Sequence, residues 1–248
     1  MNSTVKIDAL GLSTRELNTR MREAATAGAA KIELHQVYGQ RYLGTNLNQP
    51  VEIEIFGTPG NDLGSFLNGP RITVRGNAQD GLGNTMNNGE IIVHGHAGDI
   101  TGLSARGGRI FIRDDVGYRA GIHMKAYGNQ KPVLVIGGTA QEFAGEYMAG
   151  GIMVMLGLTL GKEDHHKTCY LGTGMHGGVI YLRGDVESYQ LGKEVGTAEL
   201  DGEDRSVLEE LVSQYAAYFK LDAREIMGHR FLKIYPVSNR PYGRLYAY

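Results

Sequence analysis

Among its 248 residues the chain has a single cysteine, Cys169. One thiol excludes a disulfide framework and a thiolate metal cluster, and it suits a reducing cytoplasm. Positive charge is not in excess: 25 Lys and Arg stand against 27 Asp and Glu, a formal net charge of −2. General nucleic-acid binding needs a basic footprint, so that class is set aside. Long apolar runs are missing too. Gly150 to Leu160 comes nearest, and it is too short and glycine-interrupted to span a bilayer. The opening MNSTVKIDALGLSTREL has no apolar segment preceded by positive charge, so no secretory leader is expected. Prolines number six against 37 glycines, and no G-X-Y period accompanies that glycine content. Glycine here is positional, and a cytoplasmic chain is expected.

What is present is a period. Ile53, Ile72, Ile91 and Ile110 follow one another at intervals of 19 residues, and Val133, Ile152 and Val179 continue the series after insertions. A second column lies two positions on, at Ile55, Val74, Val93, Ile112, Val135, Val154 and Tyr181. Glycines close most of these segments, among them Gly57, Gly76, Gly95 and Gly137. Another glycine column marks the middle of each repeat, at Gly64, Gly83, Gly102, Gly121, Gly145 and Gly172. Self-similarity on this scale predicts a solenoid. Alternation at period two, as in Ile72-Thr-Val-Arg, favours strands over helical repeats. The interval of 19 is not a multiple of six, which argues against a hexapeptide helix. An all-β solenoid is expected: a right-handed parallel β-helix of about seven rungs, with both columns stacked inside.

The ends do not share the repeat. Residues 1–50 read as a helix and strand cap. Ser13 and Glu16 form a capping box, Leu17, Met21, Ala24 and Ala25 share one helical face, and Gly28 ends the helix. Residues 51–190 form the β-helix, with insertions at Lys125 to Lys131 and Gly161 to Lys167. Residues 191–248 read as a helical cap or docking tail. Leu208, Leu211, Val212, Tyr215, Ala216 and Phe219 make an apolar helical stripe, residues 221–227 a second short helix and Phe231 to Tyr235 a strand. Leu211 and Tyr215 are the expected partner contacts. The tail carries Tyr242, Tyr246 and Tyr248.

Catalytic signals are weak. Gly172-Thr-Gly174-Met-His-Gly177 has dinucleotide-fingerprint spacing, yet a strand follows it rather than a helix, which makes it a structural corner. His94 and His96 share a strand face but lack an evident third ligand. Asp80 and Asp99 are repeat-mates, read either as an acid/base or calcium pair or as a polar turn ladder. His165, His166, Cys169 and His176 surround the long insertion, with His123 in an earlier turn; no C-x-x-C accompanies them, and a polar loop is the expectation.

Several multi-residue motifs agree in order with one family. Gly76-Asn-Ala-Gln-Asp-Gly81, Asn84-Thr-Met-Asn-Asn-Gly89, Gly117-Tyr-Arg-Ala-Gly-Ile-His-Met124, Gly145-Glu-Tyr-Met-Ala-Gly-Gly151 and Gly172-Thr-Gly-Met-His-Gly-Gly178 resemble the glycine-rich carboxy-terminal GXGXG domain of the glutamate synthase large subunit. The resemblance covers roughly residues 45–185. The leading segment, with Gly39-Gln-Arg-Tyr-Leu-Gly44, resembles the stand-alone form found where glutamate synthase is split into separate chains. The resemblance implies a β-helix with no catalytic, cofactor or metal residues of its own. Partners would be a glutamine amidotransferase and a synthase subunit carrying FMN and an iron–sulfur cluster. Asn2 follows Met1 where the amidotransferase would need cysteine, which departs from the complete enzyme. The nearest rival is the glycine-rich, non-catalytic subunit of formylmethanofuran dehydrogenase, a tungsten or molybdenum enzyme, whose β-helix this sequence also resembles. An autonomous carbohydrate-active β-helix is a third reading, with Asp80, Asp99 and Arg119 as its kernel. Isolated chains could also self-associate through an open rung edge.

Overall fold

A computed structural model describes residues 3–161 and 164–237. The Tyr242, Tyr246 and Tyr248 tail, and two residues of the second insertion, lie outside the described residues. The chain opens with β1 (Thr4–Asp8), α1 (Thr14–Thr26) and β2 (Lys31–Tyr38). Then come β3 (Glu52–Thr58), β4 (Asn68–Val74), β5 (Asn88–Val93), β6 (Arg109–Ile112), β7 (Val133–Ile136), β8 (Ala149–Met155) and β9 (Gly177–Arg183). β10 (Val195–Ala198), α2 (Gly202–Phe219), α3 (Ala223–Met227) and β11 (Phe231–Pro236) finish it. The strands form one sheet in the order β1-β2-β3-β4-β5-β6-β7-β8-β9-β11-β10. β1 to β9 pair in parallel, each with the next, and the intervening turns wind back to make a β-solenoid. β11 joins β9 antiparallel, and β10 joins β11 likewise.

The inner ladder runs Ile32, Ile53, Ile72, Ile91, Ile110, Leu134, Met153 and Ile180. All eight are buried in one cluster with Leu63, Leu82, Met86, Met124 and Met148 from the turns. Up to Ile110 and Ile112 the expected columns hold. Beyond the first insertion they are displaced by one residue: Ile110 pairs with Leu134, and Val133 pairs with Arg109. Val133, Val135, Val154 and Tyr181 therefore face outward into a second core, packed by Ile152 and Val179. The insertion breaks the interval of 19, and with both faces of this strand covered no alternation remains to restore the register. Val133 to Ile136 is buried at all four positions, so alternation no longer marks the inside.

The cover is α2. Leu208, Leu211, Val212, Tyr215 and Ala216 line one side of this helix and bury against Phe111, Val135 and Val154. Asp201 caps its start by accepting from the Asp204 amide, while the Asp204 side chain accepts from the Asp201 amide. Lys220 ends the helix in the left-handed conformation, φ 58°. At the other extremity Ser13 and Glu16 form the expected capping box of α1. Its Leu17 and Met21 are fully buried in the inner core and close the first coil.

Solenoid geometry also begins earlier than residue 51. β2 is in parallel register with β3, and Gly44, φ 74°, sits in the same turn position as Gly64. Seven turns follow β2 to β8, with Gly44, Gly64, Gly83, Gly102, Gly121, Gly145 and Gly172 at their centres, all left-handed at φ 67–75°.

Candidate functional site

The predicted glycines divide into two kinds. Gly64, Gly83, Gly102, Gly121, Gly145, Gly172 and Gly174 are left-handed. At Gly83 an added Cβ would also run into Ile110 Cδ1 of a following coil. Gly76, Gly95 and Gly137 lie outside the left-handed region and are needed for closeness instead: a Cβ on Gly95 would meet the Asn77 side chain and the Gly76 carbonyl. Between Gly172 and Gly177 the chain turns and then enters β9, a strand, so the dinucleotide spacing marks a corner.

Asp80 and Asp99 are rungs of a hydrogen-bond ladder. Asp80 Oδ1 accepts from the Asp99 amide at 2.9 Å, and Asp99 Oδ1 accepts from the Tyr118 amide at 2.9 Å. A parallel ladder runs from Asn77 to the His96 amide (3.0 Å), from His96 Nδ1 to the Asp115 amide (3.3 Å) and from Asp115 to the Thr139 amide (2.7 Å). These carboxylates satisfy the next coil's backbone, as a turn ladder requires, and are not arranged as an acid/base couple. Arg119 is instead paired with Glu146, 2.5 Å away.

The histidines do not converge. His94 Nε2 lies 2.8 Å from Arg75 Nη1, so it accepts from the guanidinium. Burial first, then Arg75 and Arg113, hold His94 below the usual histidine range and keep it neutral. His166 is buried; its Nε2 donates to the Arg183 carbonyl at 3.1 Å, and burial again lowers its pKa. His166 lines a cavity of about 500 Å³ with His165, Arg183 and His229. Cys169 Sγ is 3.7 Å from the Lys167 carbonyl, and His176 Nδ1 is 3.2 Å from the Gly174 carbonyl. Among the described residues no group of three His, Cys, Asp or Glu side chains could hold a metal ion. No described helix is long and apolar enough to cross a membrane.

Leu211 and Tyr215 are not a partner surface. Leu211 is 3% exposed and Tyr215 fully buried, and the Tyr215 hydroxyl donates to the Arg113 carbonyl at 2.8 Å. The stripe that reads as a docking face is occupied by the chain's own sheet. Nearby, Asp204 accepts from the Tyr181 hydroxyl and from Lys233 Nζ, each at 2.7 Å, which ties α2 to β9 and β11. Lys31 bridges Glu33 (2.9 Å) and Glu54 (2.7 Å) on the outer face of the first strands. Hydrogen bonds from Lys31, Lys6 and His35 lower the Glu33 carboxyl to about 2.

Sequence reading misses a further surface. Two residues before and two after the central glycine of each turn, the backbone is again left-handed, and most of these positions are not glycine. In the last three turns they hold Arg119, His123, Phe143, Tyr147 and Tyr170. The His123 and Tyr147 rings stack at 5.3 Å, those of Phe143 and Tyr170 at 4.7 Å, and Arg119 lies 5.0 Å over Phe143. Tyr118, Tyr147 and Tyr170 are about half exposed. No sequence signal finds these columns, because in the earlier turns the same two positions hold residues of every kind: Tyr42, Asn46, Asp62, Phe66, Gly81, Thr85, Ile100 and Ser104.

Comparison with known proteins bears on the whole chain. The uncharacterized protein MJ1350 of Methanocaldococcus jannaschii is 47% identical over 251 residues, covering 98% of this chain and 96% of that protein. A chain of the formyltransferase/hydrolase complex FhcABCD of Methylorubrum extorquens, crystallised with methylofuran, superposes with a TM-score of 0.62 over 92% of each chain. At 19% identity that likeness shows a shared fold. The profile described as GXGXG motif matches residues 13–237. The chain belongs to the GXGXG motif family, that of the glycine-rich carboxy-terminal domain of the glutamate synthase large subunit.

Proposed function

We propose that this chain is a structural subunit of a split glutamate synthase, holding the glutamine amidotransferase and the FMN and iron–sulfur synthase parts in fixed relation. The observation that carries the reading is the family match over residues 13–237, nearly the whole chain. The physical rationale is stiffness. Ammonia released at one active site must reach a second without loss, and a stacked β-solenoid keeps its neighbours in register. On this reading the chain contributes no catalytic group, and FMN and the cluster reside on its partners. In support, the Asp80, Asp99 and Asp115 carboxylates accept from the backbone of the next coil, and Glu146 pairs with Arg119.

A second reading is a structural role in a formylmethanofuran dehydrogenase-like complex. The fold neighbour from the formyltransferase/hydrolase complex favours it, through fold alone. Affinity purification of the tagged chain from its own host, followed by identification of bound subunits, separates the two. A flavin and iron–sulfur protein with an amidotransferase is the expected result. Molybdenum- or tungsten-type subunits would establish the second reading. A chain that purifies alone and monomeric would overturn both.

A further inference from the structure

We propose that His166 is a pH-operated pin: its neutral ring is held against Gly157 and the Arg183 carbonyl, and on protonation the ring swings into the adjoining cavity beside Asp164. Such a pin works whether or not the chain is a synthase subunit. His166 is 3% exposed, and its Nε2 lies 3.1 Å from the Arg183 carbonyl, which can only accept, so Nε2 carries the proton. Nδ1 is then a bare acceptor. It is buried and has no hydrogen-bond partner among the described residues. A buried, unsatisfied atom costs stability, and in a native fold it calls for an account.

The ring is fixed by close contacts. An added Cβ on Gly157 would fall 2.8 Å from Nε2 and 3.0 Å from Cε1, so the imidazole lies directly against that glycine. Arg183 donates to the Leu156 carbonyl at 2.5 Å and to the Gly157 carbonyl at 3.4 Å, which holds the end of β9 to the turn after β8. Gln190 donates to the His166 and Thr168 carbonyls at 2.6 and 3.0 Å. The backbone therefore stays anchored when the side chain moves. That side chain has somewhere to go: His166 lines the cavity of about 500 Å³, with Leu160, Asp164 and Asp185 on its walls.

Charge decides between the two positions. Where the ring now sits, a proton on Nδ1 would find no acceptor and would stand close to the Arg183 guanidinium and His165. Burial first, then the charges of Arg183 and His165, hold the His166 pKa below the usual histidine range, against the raising effect of the carbonyl bond. Different groups face the cavity. Asp164 is exposed, and its Oδ2 accepts only a neutral amide, that of Gly161 at 3.1 Å, so it keeps its negative charge for the ring. Asp185 is paired with Arg230 at 2.6 Å, and His229 completes the wall. Glu225 of α3 acts on Arg183, and Lys167 is exposed one residue on. The pinned position is therefore fully favoured above the pKa of a free imidazole, about 6.5, and is lost as pH falls from there through the lower value of the pinned ring.

The test uses the full chain, isotopically labelled at histidine and followed by NMR as pH is lowered. At alkaline pH the His166 nitrogen shifts should report a neutral ring protonated at Nε2, with through-space contacts from its Hε1 to the Gly157 α-protons. Those contacts should be lost with a single midpoint below about 6.5, the midpoint at which the ring gains its proton. Asp164→Asn removes the carboxylate that receives the charged ring and should move the midpoint further down. His166→Gln keeps a donor for the Arg183 carbonyl and cannot titrate, so the Gly157 resonances should stop moving with pH. A ring that stays on Gly157 after taking up its proton, or that titrates at or above about 6.5, overturns the proposal. So does a Gly157 transition that survives in His166→Gln, which would assign it to His165 or His229.

Discussion

At the scale of single residues, turn glycines do two separable jobs. Gly83 needs its left-handed φ of 68° and also has no room for a Cβ beside Ile110. Gly128 has a similar φ, 58°, but nothing within 4 Å. Gly128→Ala should therefore cost about 1 kcal/mol, from backbone alone. Gly83→Val should cost at least about 3 kcal/mol, because an overpacking term is added. For a chain of this size that separates the melting temperatures by several degrees; equal losses would refute the steric account. A second residue-scale prediction concerns acid. Burial alone would raise the Asp204 pKa, but hydrogen bonds from Lys233 and Tyr181 outweigh it and leave the carboxyl below the usual aspartate value. Its contribution is thus fully present above the unfolded pKa, near 4, and lost as pH falls through the lower folded value. Asp204→Asn should flatten that part of the stability profile while lowering stability at pH 7, a pattern that urea titrations at several pH values would read.

At the scale of elements, α2 shows why a helix can be read from sequence while its role is not. The stripe of Leu208, Leu211, Val212 and Tyr215 announces an apolar face. Nothing in it says whether that face meets another chain or the chain's own sheet. The answer lay in the strands: Val133-Leu-Val-Ile136 has no polar alternate, because its outer side is covered as well. The same feature hid the one-residue displacement that sends Leu134, Met153 and Ile180 inward. Where the interval of 19 is unbroken, from Ile53 to Ile112, the period placed every inner residue correctly, even in β5 and β6, where Ile92 and Phe111 are buried on the other face. Left-handed columns flanking the central glycines were illegible, since backbone conformation there is imposed by stacking rather than by residue type. The helix can be probed directly. Tyr215→Phe should cost about 1 kcal/mol, through the lost bond to the Arg113 carbonyl. Leu211→Asp should cost more than about 3 kcal/mol and release α2, seen as rapid amide exchange confined to residues 202–219. Exchange that rose uniformly along the chain would instead mean that helix and solenoid melt as one unit.

At the scale of the whole molecule, the two ends are closed by different devices. Leu17 and Met21 of α1 are fully buried in the first coil, whereas at the far end the strand direction reverses at β11. Leu17→Glu should open the first coil and drive concentration-dependent self-association, visible by light scattering; a variant that stays monomeric would show that β1 alone guards that edge. The reversal at β11 has a different meaning. An antiparallel strand cannot be followed by another coil of the same winding, so growth stops there. Between the two closures, the inner residues of β3 to β6 pair at a constant interval, Ile53 with Ile72, Ile72 with Ile91 and Ile91 with Ile110. One 19-residue unit could be removed or duplicated there and every surviving neighbour would find an equivalent place. The separation of the two end faces is therefore a counted quantity, set in steps of about 4.8 Å by the number of coils, so the length of the molecule is written in whole units.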